Sequence, residues 1–242
     1  MKDNEQDIVG DWAEDYAYLL KGATLMFFHK RPPRSYTDIS THNKKPVILV
    51  PGILGTWAFM KRLGDKLSSA GHPVYVVPGL GYNLEDIPTS AEKLKKVVER
   101  ISKKEISENV TDEKDREIVI VGHSKGGLVA KQFLTHYNDD NKVVGVIAIA
   151  TPFSGSDMAK LILDEPFQEL TKESDIINEM KKHASVNSKI ISIIPEFDNH
   201  VWAEEGSYLE GAENIKVPVR GHHKILFDEG VENIVLEKIE SF

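Results

Sequence analysis

Cysteine is absent from the 242-residue sequence. That excludes disulfides, thiol nucleophiles and thiolate metal sites, and it suits a reducing, cytoplasmic setting. Long apolar runs are also missing. The most hydrophobic early stretch, Ala17 to Phe28, is interrupted by Lys21 and Gly22 and is too short to span a bilayer, so no integral membrane segment is expected. Met1 to Asp15 is acidic and lacks the basic start and apolar core of a secretory signal. Positive charge is in deficit. With a formal net charge of −8 and a pI near 5.6, the average surface would repel nucleic acid and anionic bilayers. A small, neutral or modestly charged substrate is the expected partner.

With 40% hydrophobic residues, the chain can bury one large core. Short runs rich in valine and isoleucine occur at Val47 to Val50, Val74 to Val77, Ile118 to Val121, Val143 to Ile149, Ile190 to Ile194 and Ile215 to Val219. Their length and continuity predict buried strands. Amphipathic stretches lie between them: Phe59 to Ala70, ending at Gly71; Ala91 to Ile101, opened by a Thr89 to Glu92 capping box; Leu128 to Leu134; and Val231 to Ile239. Strands alternating with helices imply a mostly parallel α/β sheet covered on both faces, with functional loops at the strands' carboxyl ends.

Before the first strand, Trp12, Tyr16, Leu19, Ala23 and Met26 recur at helical spacing and predict a packing face; an interfacial membrane helix is the alternative. The prolines of His29 to Arg34 end that helix. Residues 1–41 are thus read as a helical extension packed on a domain spanning 42–242. Ser154 to Ser188 contains no clear strand, and its apolar residues from Leu161 to Met180 fit either a small cap at 155–188 or part of the core.

Gly122-His123-Ser124-Lys125-Gly126 directly follows the third strand and directly precedes a helix. A serine at so tight a corner takes a strained backbone conformation, with glycines relieving collisions on either side. The following helix directs its positive end at any oxyanion beside the serine. Ser124 is therefore the candidate nucleophile.

A serine hydroxyl needs an imidazole to take its proton and a carboxylate to orient that imidazole. In a wound sheet with such an elbow, the acid and then the histidine follow the serine in sequence. His29, His42 and His72 precede it. His123 is expected to point away from the nucleophile, and His136 to be carried off along the next helix. His222 and His223 remain, just past the last strand, with His222 chosen and His223 in reserve. Asp198, just past the fifth strand, is the candidate orienter; Glu196, Glu204 and Glu205 are less well placed. The backbone N–H groups of Lys125 and of Ile53, in the loop Pro51 to Gly55, are the candidate oxyanion donors. A metal site drawn from Asp198, His200, His222 and His223 is the competing use of the same residue types.

Taken together, PGILG at Pro51 to Gly55, GHSKGG at Gly122 to Gly127, TPFSGS at Thr151 to Ser156, the Asp198-Asn199-His200-Val201 turn and GHHKIL at Gly221 to Leu226 resemble the α/β-hydrolase family, in particular its bacterial lipase and esterase branch. The resemblance spans roughly Lys45 to Ile239. It implies an α/β-hydrolase fold, hydrolysis of acyl esters through Ser124, His222 and Asp198, an oxyanion hole at Ile53 and Lys125, and no metal or organic cofactor. Thioester cleavage or acyl transfer would use the same groups, and a non-catalytic ligand-binding member of the fold is the reading of another class. Two departures stand out. Lys125 replaces the usual bulky apolar residue, with its charge expected to tune the entrance, and Thr151-Pro152-Phe153 replaces Thr-Pro-His.

Overall fold

Each of the six valine- and isoleucine-rich runs forms a strand: β1 (Val47–Val50), β2 (Val74–Val76), β3 (Ile118–His123), β4 (Val143–Ile149), β5 (Ile190–Phe197) and β6 (Glu213–Arg220). The computed structural model describes residues 2–38, 44–107, 117–156, 158–162, 164–201 and 206–242. The strands form one parallel sheet in the order β2-β1-β3-β4-β5-β6. β1 shows why its run is uninterrupted: Ile48 and Val50 face one core while Val47 and Leu49 face the other, so both faces need apolar residues.

The helices are α1 (Lys2–Phe28), α2 (Lys61–Ser69), α3 (Ile87–Ser107), α4 (Lys125–His136), α5 (Glu165–Gln168), α6 (Asp175–Lys182) and α7 (Glu229–Ser241). α3, α4 and α6 cover one face through Leu94, Phe133 and Ile177, and α2 and α7 cover the other through Leu63, Leu67 and Val235. Chain order reverses between β1 and β3, where α2 leads outward to β2 and α3 returns across β1. A crevice opens at the carboxyl ends of strands flanking such a switch point, here beside the Pro51 to Gly55 loop and Ser124.

Two helix boundaries differ from expectation. α3 starts at Ile87, ahead of the Thr89 box, because the Asp86 carboxylate accepts the Thr89 N–H at 2.7 Å and its hydroxyl at 2.9 Å. The first turn of the Phe59 to Ala70 stretch is a tighter 3-10 helix, Trp57–Met60, with α2 following it. The packing face of α1 is partly the predicted one: Leu19 and Met26 pack on the core and Trp12 is half-buried, but Tyr16 and Ala23 are exposed, and the buried line passes through Asp15 and Gly22. Gly22 admits the Phe59 ring so closely that a Cβ there would lie 2.1 Å from a ring carbon.

The elbow is equally tight. A Cβ on Gly126 would sit 2.0 Å from the Val50 carbonyl oxygen of β1, and one on Gly122 would sit 2.6 Å from the Gly126 backbone. Neither neighbour is a flexible side chain. Gly126→Ala is expected to cost about 3 kcal/mol, as overpacking against backbone does, read as a lower urea midpoint at unchanged slope. An unshifted midpoint would mean that β1 and α4 can separate freely.

Candidate active site

Ser124 has φ 52° and ψ −125°, a left-handed conformation that a non-glycine residue holds only when its surroundings enforce it. Its N–H donates to the Ile149 carbonyl at 2.9 Å, and its carbonyl accepts the Gly127 N–H at 3.0 Å and the Thr151 hydroxyl at 3.1 Å. Lys125 carries the first N–H of α4, which points toward the same corner. The loop after β1 lies directly against the serine, since a Cβ on Gly52 would be 2.9 Å from that of Ser124. Asn83 anchors this loop by donating to the Pro51 carbonyl at 2.8 Å, and the Ser90 hydroxyl holds Asn83 at 3.2 Å. Ile53 and Ser124 line one cavity of about 190 Å³.

His222 lines that cavity too. Its Nδ1 lies 2.8 and 3.1 Å from the two carboxylate oxygens of Asp198, the geometry of an Nδ1–H donor. Asp198 Oδ1 also accepts the N–H groups of His200 and Val201, each at 2.8 Å, which fixes the carboxylate at its own turn. The His222 backbone is clamped at both ends: its N–H donates to Asn199 Oδ1 at 3.1 Å, and its carbonyl accepts from His123 Nε2 at 3.0 Å. Burial opposes the charged form of His222, but the Asp198 carboxylate outweighs it by charge and hydrogen bond, with help from Asp15, so its pKa is raised above 6.5.

His123 does not point away from the site. It lines the cavity, its ring 4.9 Å from that of His222 and stacked on Phe59, on the face that it shares by alternation with Val119 and Val121. Burial and the charge of His222 keep it neutral. His200, the turn residue, stacks on His222 at 4.8 Å, and burial pushes its pKa down to about 3. His136 is carried along α4, as expected. His42, Glu204 and Glu205 lie outside the described residues.

Asp15 is the residue that sequence reasoning missed. It lies fully buried on α1, some 200 positions from the loop it serves. Its carboxylate accepts the N–H of His223 at 2.7 Å, the N–H of Lys224 at 2.9 Å and Nδ1 of His223 at 2.7 Å. Gly221 turns at φ 137°, and a Cβ there would lie 2.5 Å from Asp15 Oδ1. His223, the reserve candidate, is thus engaged by Asp15 while His222 faces Asp198. Burial raises the Asp15 pKa, but these donors overcome it and hold the carboxyl far below the usual range. A depressed carboxylate contributes stability above its unfolded pKa and loses it as pH falls toward the folded one. Asp15→Asn is therefore expected to cost about 2 kcal/mol at neutral pH, the gap to wild type narrowing below about pH 4. Urea unfolding at both pH values checks this, and equal stability at neutral pH would sink it.

Lys125 also departs from expectation. Its side chain is fully buried, away from the entrance, where Nζ donates to the Glu85 carbonyl at 2.7 Å and pairs with Glu169. Glu169 in turn accepts the Ile87 N–H at 2.9 Å. The ammonium thus ties the segment after α5 and the start of α3 to the elbow. Within 155–188, Met158, Ile162 and Phe167 line the cavity, Leu170 lines it and joins the core, and Ile177 and Met180 sit in the core. The Leu161 side chain lies outside the described residues.

A different metal-capable set replaces the one read from residue types. Asp198 and His222 are paired with each other, and among the described residues Asp15, His200 and His223 bring donor atoms within 4.8 Å of one another.

Residues 41–212 match the PGAP1-like alpha/beta domain. The chain belongs to this family, and its sheet and elbow are those of the α/β-hydrolase fold. Among solved structures, the mature lipase BlEst2 of Bacillus licheniformis is similar at a TM-score of 0.65 and 14% identity, covering 81% of this chain and 92% of that one. Aspergillus fumigatus lipase B is similar at 0.70 and 20% identity, covering 86% of this chain but 55% of its own, so the chain spans about half its length. The ydeN gene product of B. subtilis is similar at 0.59 and 16% identity, covering 82% of this chain and 100% of that one. A comparison with curated proteins returned no match. The family match includes Ser124 and Asp198 but ends before His222 and begins after Asp15.

Proposed function

We propose that the chain is a serine hydrolase that cleaves carboxylic esters with an apolar acyl group. One observation carries this reading: His222 bonds Asp198 through Nδ1 and shares a cavity with a serine held at positive φ. In this mechanism Ser124 Oγ attacks the ester carbonyl and His222 accepts its proton. The oxyanion is met by the N–H groups of Ile53 and Lys125. Collapse breaks the ester C–O bond, with His222 returning the proton to the departing alcohol. Water, deprotonated by the same imidazole, then attacks the acyl-enzyme and restores Ser124. Throughout, Asp198 orients His222 and stabilises its charged form.

Met158, Ile162, Phe167 and Leu170 support an apolar acyl chain on the cavity side of the cap. In this reading residues 42–242 form the hydrolase domain and residues 1–41 an extension that braces its histidine loop. The lipases and esterases of similar fold are consistent with this chemistry. A fluorophosphonate probe is expected to add one label to the folded protein, mapping to Ser124, and nitrophenyl esters of graded chain length to show a preference for medium chains over acetate. Intact protein that stays unlabelled would favour a ligand-binding member of the fold.

A further inference from the structure

α1 is apolar on two faces, one packed on the core through Tyr18, Leu19, Leu25 and Met26 and one turned to water. A surface helix ordinarily packs its apolar stripe on the protein and turns its charges to water. Here the described acids lie on the inward side and flank: Asp11 bonds Arg220 at 2.8 Å, the exposed Glu14 bonds Lys224 at 2.7 Å, and Asp15 holds the His223 loop. Residues facing out are Val9, Ala13, Tyr16, Ala17, Leu20, Ala23 and Phe27, at the spacing of one helical face. Val9 is 70% exposed, Leu20 69%, Phe27 69% and Phe28 71%. Even the Thr24 hydroxyl is turned back, donating to the Leu20 carbonyl at 2.9 Å. A continuous outward stripe of this kind marks a surface that meets an apolar partner.

We infer that the outward face of α1 docks on a lipid surface, with the helix lying in the head-group plane. Three features favour lipid over other partners. First, the outward stripe runs along α1 from Val9 to Phe27, which suits a helix lying in the head-group plane, and no described helix is long and apolar enough to cross a membrane. Second, the stripe ends in an aromatic pair, Phe27 and Phe28, followed by exposed Lys30, Arg31 and Arg34, with Lys30 Nζ 5.5 Å from the Phe27 ring centre. Among the described residues no acid pairs with these three cations, which are free to meet head-group phosphates at the depth where aromatic rings settle. Third, the face adjoins the cavity: Leu19, on the flank of the stripe, lines it, and Leu54, 54% exposed, stands on its rim. Docking there would bring an apolar ester directly to Ser124, which rests on the proposed hydrolase reading. With a net charge of −8, apolar burial rather than global attraction supplies the affinity, so zwitterionic lipid suffices.

The test uses the full chain and phosphatidylcholine vesicles in co-sedimentation, read separately from hydrolysis of a water-soluble short-chain ester. Wild type is expected to sediment with the vesicles. Leu20→Glu with Phe27→Glu should lower the partition coefficient at least about tenfold, with soluble-ester turnover and circular dichroism unchanged. The milder Phe27→Ser should give an intermediate loss and covers a folding failure of the double variant. The inference is overturned by wild type that stays in the supernatant, by variants that bind equally, or by a wild-type dimer that these substitutions dissociate, which would assign the face to a second copy. Vesicle binding without ester turnover would leave the docking face standing and remove the hydrolase reading alone.

Discussion

Ser124→Ala is expected to lower kcat for ester hydrolysis by about five to six orders of magnitude, leaving only the residual rate that binding and the oxyanion donors provide. The hydroxyl is the one group at the elbow able to form the acyl-enzyme, and no cysteine exists to stand in for it. Alanine retains the Cβ against which Gly52 packs, and the backbone hydrogen bonds of residue 124 do not involve the hydroxyl. Thermal unfolding of the variant should therefore match wild type closely. A loss below about a hundredfold, with the fold intact, would mean that another group attacks the ester.

The second large effect is expected at Asp198. Asp198→Asn should reduce kcat about 10⁴-fold, because an amide no longer selects the tautomer that leaves Nε2 free to take the serine proton, nor stabilises the imidazolium. The pH profile carries a separate signature. The proposed mechanism needs neutral His222, so kcat/KM is expected to fall as pH drops through the His222 pKa. Burial lowers that pKa and Asp198 more than reverses it, so the acid limb of wild type should lie above the reference of about 6.5. Removing the carboxylate leaves burial set against Asp15 alone. The limb should then move below about 6.5. A limb that stays in place would mean that another group sets it.

The strands were readable in the sequence because both faces of a parallel sheet are buried: every residue from Val47 to Val50 had to be apolar, and that leaves an unbroken signature. The elbow was readable for a related reason, since glycine is the sole residue that fits against the Val50 carbonyl. Ser124 was selected by its corner and Asp198 and His222 by chain order; Asp198 bonds His222, which lines the same cavity as Ser124. Helix starts were less legible. The Thr89 box had the right residue types, but Asp86 bonds the same N–H first.

Lys125 and His123 were misread because a side chain's direction at a tight corner depends on where the next elements pass. Lys125 turns inward because Glu85 and Glu169 converge there, and His123 turns toward the cavity because the His222 carbonyl is its acceptor.

By itself, the sequence determined the wound parallel sheet, the position of the strained serine and the order of its proposed partners, because these follow from local periodicity, glycine placement and chain direction. Only the tertiary structure decided that Asp15 on α1 braces the histidine loop and that α1 turns Asp11 and Asp15 inward and its phenylalanines out. Those contacts join residues more than 200 positions apart, and no local pattern encodes which face of a helix its distant partners will claim.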